Sequence, residues 1–329
     1  MFLSKILKRR DARPRLPNLL CVGVEKCGTT FLNTAFEPCQ SVLTPRKKEL
    51  FYFNKYFAQG TDWYQSWYDF TSKPKARYVA DITPSYFRSR KNLERITELL
   101  PGAKIIMVLR HPVYRSFSHY IHRIRHLAPR LDSYGYSFAD ILDRKDVYEL
   151  LCPQYGRHLR MLTEFFDRED ILLLTYENDI LNPLRAQATL SEFLELDDLD
   201  FSPMLGRRVN EGKMPRFYYS STPGANIELG DKQYQLKPGN LLLAHAKGTL
   251  EWQAIDPAVA DANVEAAANW TASLSSDQVQ DIYQAHFAPD LEILREDFDV
   301  DVDQWQAMTD PVYYADALPD PELLVEPGR

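Results

Sequence analysis

The chain has 329 residues, of which 45% are hydrophobic and 26% charged, and a formal net charge of −7. That composition belongs to a globular fold rather than a disordered chain, and the acidic balance argues against general nucleic-acid binding, which relies on a basic field. Four cysteines (Cys21, Cys27, Cys39 and Cys152) form no CxxC pair, which speaks against a zinc site or disulfide framework and for a reducing, cytoplasmic setting.

Residues 1–17, MFLSKILKRRDARPRLP, are basic, and their apolar part is too short for a secretory signal, so they read as a flexible leader. No apolar run approaches the roughly 18 residues of a membrane span, and no stable membrane insertion is expected. From residue 18 onward, apolar runs alternate with helical patterns. Strands are predicted over Asn18–Val24, Arg77–Ile82, Lys104–Arg110 and Ile171–Tyr176. Helices are predicted from Thr29 to about Phe36 and over Asn92–Leu100, Pro112–His126, Gly156–Phe166 and Pro183–Leu194. Continuous apolar runs of this length suit strands covered on both faces. Their alternation with helices predicts an α/β fold, a central parallel β-sheet flanked by helices on both faces. Residues 197–249 mix Gly, Pro, Tyr and Arg without periodicity and are expected to form loops near the site. A later helix over Ser275–Phe287 opens with a Ser275/Gln278 capping box. One domain over 18–308 is expected, followed by a Pro- and Asp-rich tail over 309–329.

Four segments carry candidate chemistry. The strand–turn–helix around Cys21–Leu32, CVGVEKCGTTFL, places Lys26, Gly28, Thr29 and Thr30 at a helix start, where amides, hydroxyls, an ammonium and the helix dipole can hold an anion. The lysine precedes the glycine, so this is not a Walker A loop, and an ordinary capping turn has the same composition. The second segment, Lys104–Tyr120, ends a strand at Arg110 and puts Ser118 two turns into a helix, where guanidinium and hydroxyl can share a phosphate. No acidic residue lies between Glu98 and Asp132, and the same window holds Lys104, Arg110, Arg115, Arg123, Arg125 and Arg130. Such a window is a focused positive patch or, equally, a solvated basic helix face. His119, His122 and His126 have metal-ligand spacing, but the neighbouring arginines oppose a cation. Third, Glu49 in PRKKELFYFN follows two lysines and is either half of a surface ion pair or a general base. Fourth, ADITPSYF ends a strand at Thr83-Pro84 and puts Asp81, Thr83 and Ser85 at the sheet edge where open α/β folds bind ligands.

In this order, the four segments resemble the PAPS-dependent sulfotransferase superfamily (PAPS, 3′-phosphoadenosine 5′-phosphosulfate). The likeness is nearest to the carbohydrate branch, the heparan sulfate N- and O-sulfotransferases and their bacterial relatives. The resemblance implies a P-loop-like fold and an enzyme that moves a sulfuryl group from PAPS to a hydroxyl or amine of a glycan or other small-molecule acceptor. PAP is the product, and no metal is required. It also implies that Lys26, Cys27, Gly28, Thr29 and Thr30 hold the 5′-phosphosulfate, with Lys26 near the bridging oxygen. By the same resemblance Arg110 and Ser118 bind the 3′-phosphate, and Glu49 is the general base. Val209-Asn210 is similar to an acceptor-side element, Lys247-Gly248 to a loop closing over the cofactor, and Asp290–Trp305 to the closing helix. One departure stands out. The heparan enzymes carry an E-K-T-P run, whereas this chain has Asp81-Ile82-Thr83-Pro84, so Lys48 or Lys247 is expected to replace the lysine missing at Ile82. The rival readings are a nucleotide kinase or NTPase, opposed by the missing Walker A order, and a nucleotide-binding scaffold without chemistry, opposed by Lys26 and Glu49.

Overall fold

The structure, a computed structural model, describes residues 15–127, 138–142, 148–207, 216–218, 224, 226–229, 232–237, 240–244, 250–254 and 273–313. The chain divides into two compact units, residues 1–110 with 157–209 and residues 111–156 with 210–329.

The first unit is built on β1 (Leu19–Gly23), α1 (Thr29–Phe36), β2 (Val42–Leu43), α2 (Gly60–Gln65), β3 (Tyr78–Ile82), α3 (Arg90–Leu99) and β4 (Lys104–Leu109). After residue 157 it adds β5 (Ile171–Thr175) and α8 (Pro183–Leu194). The strands form one sheet in the order β2-β3-β1-β4-β5, and every pair is parallel. In register, Leu19 faces Ala80 on one side and Lys104 on the other, while Ile105 faces Ile171. The apolar runs explain this arrangement: β1 and β3 are buried along their whole length, and β4 is buried except at Lys104. A strand with no solvent face has no reason to alternate apolar with polar residues. The predicted α/β fold and its parallel sheet are therefore observed. The chain leaves β1 towards β2 and β3, then continues on the other side with β4 and β5. That places a switch point beside β1, and ligands of open α/β sheets bind at the carboxyl ends of strands there. Helix α8 runs over the predicted residues because Asn182 caps it, its side chain accepting from the Arg185 amide (3.3 Å), and Pro183 stands in the first turn.

The second unit contains α4 (Pro112–Leu127), α5 (Phe138–Leu142) and α6 (Tyr148–Leu151), and α7 (Tyr155–Thr163) begins there. It also contains β6 (Arg216–Tyr218), β7 (Asn226–Leu229), β8 (Lys232–Gln235), β9 (Asn240–Ala244), β10 (Leu250–Ala254) and β11 (Ser273–Leu274). The chain then forms α9 (Ser276–His286), α10 (Ala288–Phe298), α11 (Asp303–Ala307) and β12 (Val312–Tyr313). The expectation of loops over 197–249 is corrected here. Strands β6–β9 fall within that stretch: β6 and β9 join β10 in an antiparallel sheet of order β10-β9-β6, and β7 pairs with β8. The strands are only three to five residues long, too short for hydrophobic periodicity to announce them. The sequence signal was the two-residue Gly230-Asp231 connection between β7 and β8, a composition typical of tight hairpins.

The predicted capping box of α9 is present: Ser275 Oγ accepts from the Gln278 amide (3.3 Å), and Gln278 Oε1 accepts from the Ser275 amide (2.8 Å). Trp305 is fully buried, and its ring lies 6.0 Å from that of Tyr155. The Gly156 amide donates to the Asp290 carboxylate (2.8 Å), an approach close enough to exclude any side chain. A Cβ at Gly156 would lie 2.4 Å from the Asp290 carbonyl oxygen and 2.5 Å from Ile293 Cβ. Gly156→Ala should therefore destabilise the fold by about 1–3 kcal/mol, read as a lower midpoint in urea with an unchanged slope.

Candidate functional site

The turn after β1 is shaped by backbone geometry. Lys26 has φ +71° and Gly28 φ +93°, so the chain bends sharply before α1. Gly28 is required twice over. Its φ favours glycine, and a Cβ there would lie 2.7 Å from Ile180 Cγ2 and 3.1 Å from the Tyr176 ring. Arg110, leaving the end of β4, braces the turn: its Nη1 donates to the Lys26 carbonyl (3.1 Å), and its guanidinium lies over the Tyr176 ring at 4.4 Å. Cys27 is fully buried, as is Cys21, whose thiol is pushed up to about 12 by burial, so Cys21 is not a thiolate at neutral pH.

Lys48 ties the next segment to this turn. Its Nζ donates to Thr30 Oγ1 (3.1 Å), to Thr29 Oγ1 (3.4 Å) and to Glu49 Oε1 (2.8 Å). Glu49 has φ +61° and Phe51 φ +53°, both in the left-handed region. Such residues cost on the order of 1–3 kcal/mol each and persist only where their surroundings hold them.

What holds them is a buried network around Asp81, at the end of β3. Asp81 is fully buried and accepts from Tyr64 Oη (2.6 Å), Thr83 Oγ1 (2.7 Å) and Tyr86 Oη (2.9 Å). Tyr86 Oη in turn accepts from the Tyr52 amide (2.8 Å), three residues beyond Glu49. Burial pushes the Asp81 carboxyl up, opposed by the three hydroxyls. Burial, reinforced by the Asp81 charge, pushes the Tyr64 and Tyr86 phenols well above their usual range, so both remain hydrogen donors. The Tyr52 ring stacks on Tyr64 at 4.0 Å between centroids and fixes the same segment from its other side.

Lys26, Cys27, Gly28, Thr29, Thr30, Arg110 and Glu49 are thus brought to one sheet edge, at the ends of β1 and β4 and after β2. Ser118 stands half-buried on α4 in the second unit. Lys247, Gly248 and the Val209-Asn210 element lie outside the described residues. Ile82 is buried, 1% exposed, so of the two lysines expected to compensate for it, the described one, Lys48, sits on the turn hydroxyls. The Asp81–Tyr64–Tyr86–Tyr52 chain was not foreseen, although Asp81 was placed at the sheet edge. Its signal was the density of tyrosine around two short motifs. Among the described residues, no three His, Cys, Asp or Glu side chains are grouped to hold a metal, and no helix is long and apolar enough to cross a membrane.

Residues 53–200 match the model of the sulfotransferase family, a span that begins just after Glu49. The chain is similar to the membrane-associated sulfotransferase kil1 of Dictyostelium discoideum, with 35% identity over 149 residues, 44% of this chain and 31% of the relative. It is similar also to the bifunctional heparan sulfate N-deacetylase/N-sulfotransferase 2 of Mus musculus, at 29% identity over 55% of this chain and 22% of that protein. The chain therefore spans less than a third of the length of these two relatives. In fold, it is similar to a sulfotransferase from Alicyclobacillus acidocaldarius, with a TM-score of 0.54 and 19% identity over 90% of this chain and 99% of that one. The β3 and β4 edges fall within residues 53–200, which match the sulfotransferase family model, while the turn and the Glu49 segment precede that span; in fold the chain is similar to a sulfotransferase.

Proposed function

We propose that the protein is a PAPS-dependent sulfotransferase acting on a hydroxyl or amine of a carbohydrate or other small-molecule acceptor. The observation that carries this reading is the Lys48 ammonium, which bonds at once to the hydroxyls of the anion-binding turn and to Glu49. A cation between an anion cradle and a carboxylate is what transfer of an anionic group to a protonated nucleophile requires. The turn suits a phosphosulfate, with two hydroxyls and a helix N-terminus at one place and no side chain at Gly28.

When bound, PAPS supplies the sulfuryl group and leaves as PAP. Glu49 takes the acceptor's proton as the new bond to sulfur forms, which leaves the acceptor oxygen or nitrogen uncharged in the product. Lys26 and Lys48 hold the negative charge that collects on the phosphate oxygen as its bond to sulfur breaks. Loss of one such donor typically costs about 2.7–4 kcal/mol of transition-state stabilisation. Arg110 and Ser118 bind the 3′-phosphate, and Lys247-Gly248 close over the nucleotide. The likeness to a heparan sulfate N-sulfotransferase supports a carbohydrate acceptor.

Calorimetry with PAP and AMP tests the donor assignment. PAP should bind at least about tenfold more tightly, because AMP leaves the donors for the 3′-phosphate desolvated and unpaired. Arg110→Ala and Ser118→Ala should erase most of that preference in proteins that still melt cooperatively. Equal affinity of the wild type for the two nucleotides would overturn the assignment.

A further inference from the structure

Beside the segment that carries Glu49, the first unit opens a cleft of about 430 Å³ lined by Asn54, Ser85, Arg88, Ser89, Lys91, Asn92 and Arg95. No carboxylate lines it. Asn54 reaches it from the turn of residues 52–56 and donates to Ser85 Oγ (2.9 Å), so its wall is continuous with the Glu49 segment and the end of β3.

The charges along this wall conflict with the helix that carries them. Lys91 and Arg95 stand four residues apart on α3, a like-charge spacing that destabilises a helix. The first turn of α3 contains Arg90 and Lys91 and no acidic residue, although the positive end of the helix dipole favours anions there. Ser89, at the cap position, makes no side-chain capping bond. Arg88 has Glu25 as a partner at 3.4 Å, and Arg95 donates to the Phe53 carbonyl (2.5 Å) with its guanidinium 4.4 Å over the Phe57 ring. Lys91 makes no hydrogen bond or ion pair among the described residues. An oxyanion in this cleft would ease these conflicts, lying between like charges and near the positive end of the dipole, on a wall that Lys91, Arg95 and Ser89 line. Local choices that oppose the fold are expected at sites of function.

We propose that this cleft binds an oxyanion, and that the oxyanion is an acid group of the acceptor, a carboxylate or sulfate held beside Glu49 while a neighbouring hydroxyl or amine is presented to it. The part of the proposal that concerns the acceptor rests on the sulfuryl-transfer reading; the cleft does not.

Two arms keep them apart. In the first, inorganic sulfate is titrated by calorimetry at constant ionic strength into wild type and Lys91→Glu, with excess PAP present to occupy the turn after β1. Lys91→Glu should fold at least as well as wild type, because it replaces a cation at a helix N-terminus, and melting temperature verifies this. Sulfate affinity should fall by about tenfold or more, the loss of a charge-assisted contact. Equal affinity in the two proteins overturns the cleft as an anion site. Failure of PAP to bind either protein counts against the sulfotransferase reading; the turn is then open to sulfate alike in both proteins, and the cleft is read from the binding lost in Lys91→Glu. In the second arm, KM and kcat are measured for a uronic-acid disaccharide and its methyl ester. Lys91→Glu should raise KM for the acid by about tenfold or more and leave kcat and the ester unchanged. Sulfate binding that responds to Lys91→Glu, with equal KM changes for acid and ester, would overturn the acceptor as the source of the anion.

Discussion

Glu49→Gln should lower kcat by roughly 100-fold or more, with melting temperature and PAP affinity close to those of wild type. The amide keeps the shape of the side chain and still accepts from the Lys48 ammonium, now 2.8 Å from Glu49 Oε1, but it cannot take a proton. If Glu49 served only as half of an ion pair, the change would cost about 0–1 kcal/mol of stability and leave turnover intact, since its side chain is 36% exposed. A variant that keeps most of its kcat would remove Glu49 as the base and direct attention to His119.

The second large effect is expected at Asp81. Asp81→Ala leaves the buried hydroxyls of Tyr64, Thr83 and Tyr86 without their acceptor. Each lost partner costs about 1–3 kcal/mol, so the fold should lose about 3 kcal/mol or more in urea denaturation. Asp81→Asn separates geometry from charge, because an amide still accepts from the tyrosines and can donate to the Thr83 hydroxyl. Its cost should be much smaller. The pH dependence then follows in sign. Burial holds the folded pKa of Asp81 above its unfolded value. Its stabilising contribution is therefore complete below the unfolded carboxylate range and is lost as pH rises through the folded value. The stability of wild type relative to Asp81→Asn should thus increase as the pH is lowered through that window. A difference that is flat with pH would show that Asp81 does not change protonation on folding.

The contrast between Glu49 and Asp81 shows what a sequence makes legible. β1, β4 and β5 were read from apolar runs and β3 from one interrupted only by Asp81, because strands covered by their neighbours need not alternate apolar with polar residues. β2, only Val42–Leu43, offers no run to read, and β6–β10, of three to five residues each, are too short to show a period. At the site, the turn glycine, Arg110 and Glu49 were visible as residue types in order along the chain. The partners that fix them were not: Tyr176 under Arg110, Ile180 against Gly28, and Tyr64 and Tyr86 on Asp81 come from other parts of the sheet edge. Lys48 and Glu49 are neighbours in sequence and could be read either as an ion pair or as parts of a site. The hydroxyls of Thr29 and Thr30, which join them to the turn, are brought in only by packing.

The strand order also sets a sequence in time. β1 precedes the other strands and lies in the middle of the sheet, so Leu19 must wait for Ala80 to close one of its sides and for Lys104 to close the other. Such distant pairings are slow to form, since loop closure precedes any gain from contact. The turn at Lys26–Gly28 waits longer still, because the Tyr176 ring under Arg110 and the Ile180 methyl against Gly28 follow β5. A ribosome that has delivered only the first 170 residues presents a β1 turn without the surfaces that shape it. The earliest residues of the site are among the last to acquire their working geometry.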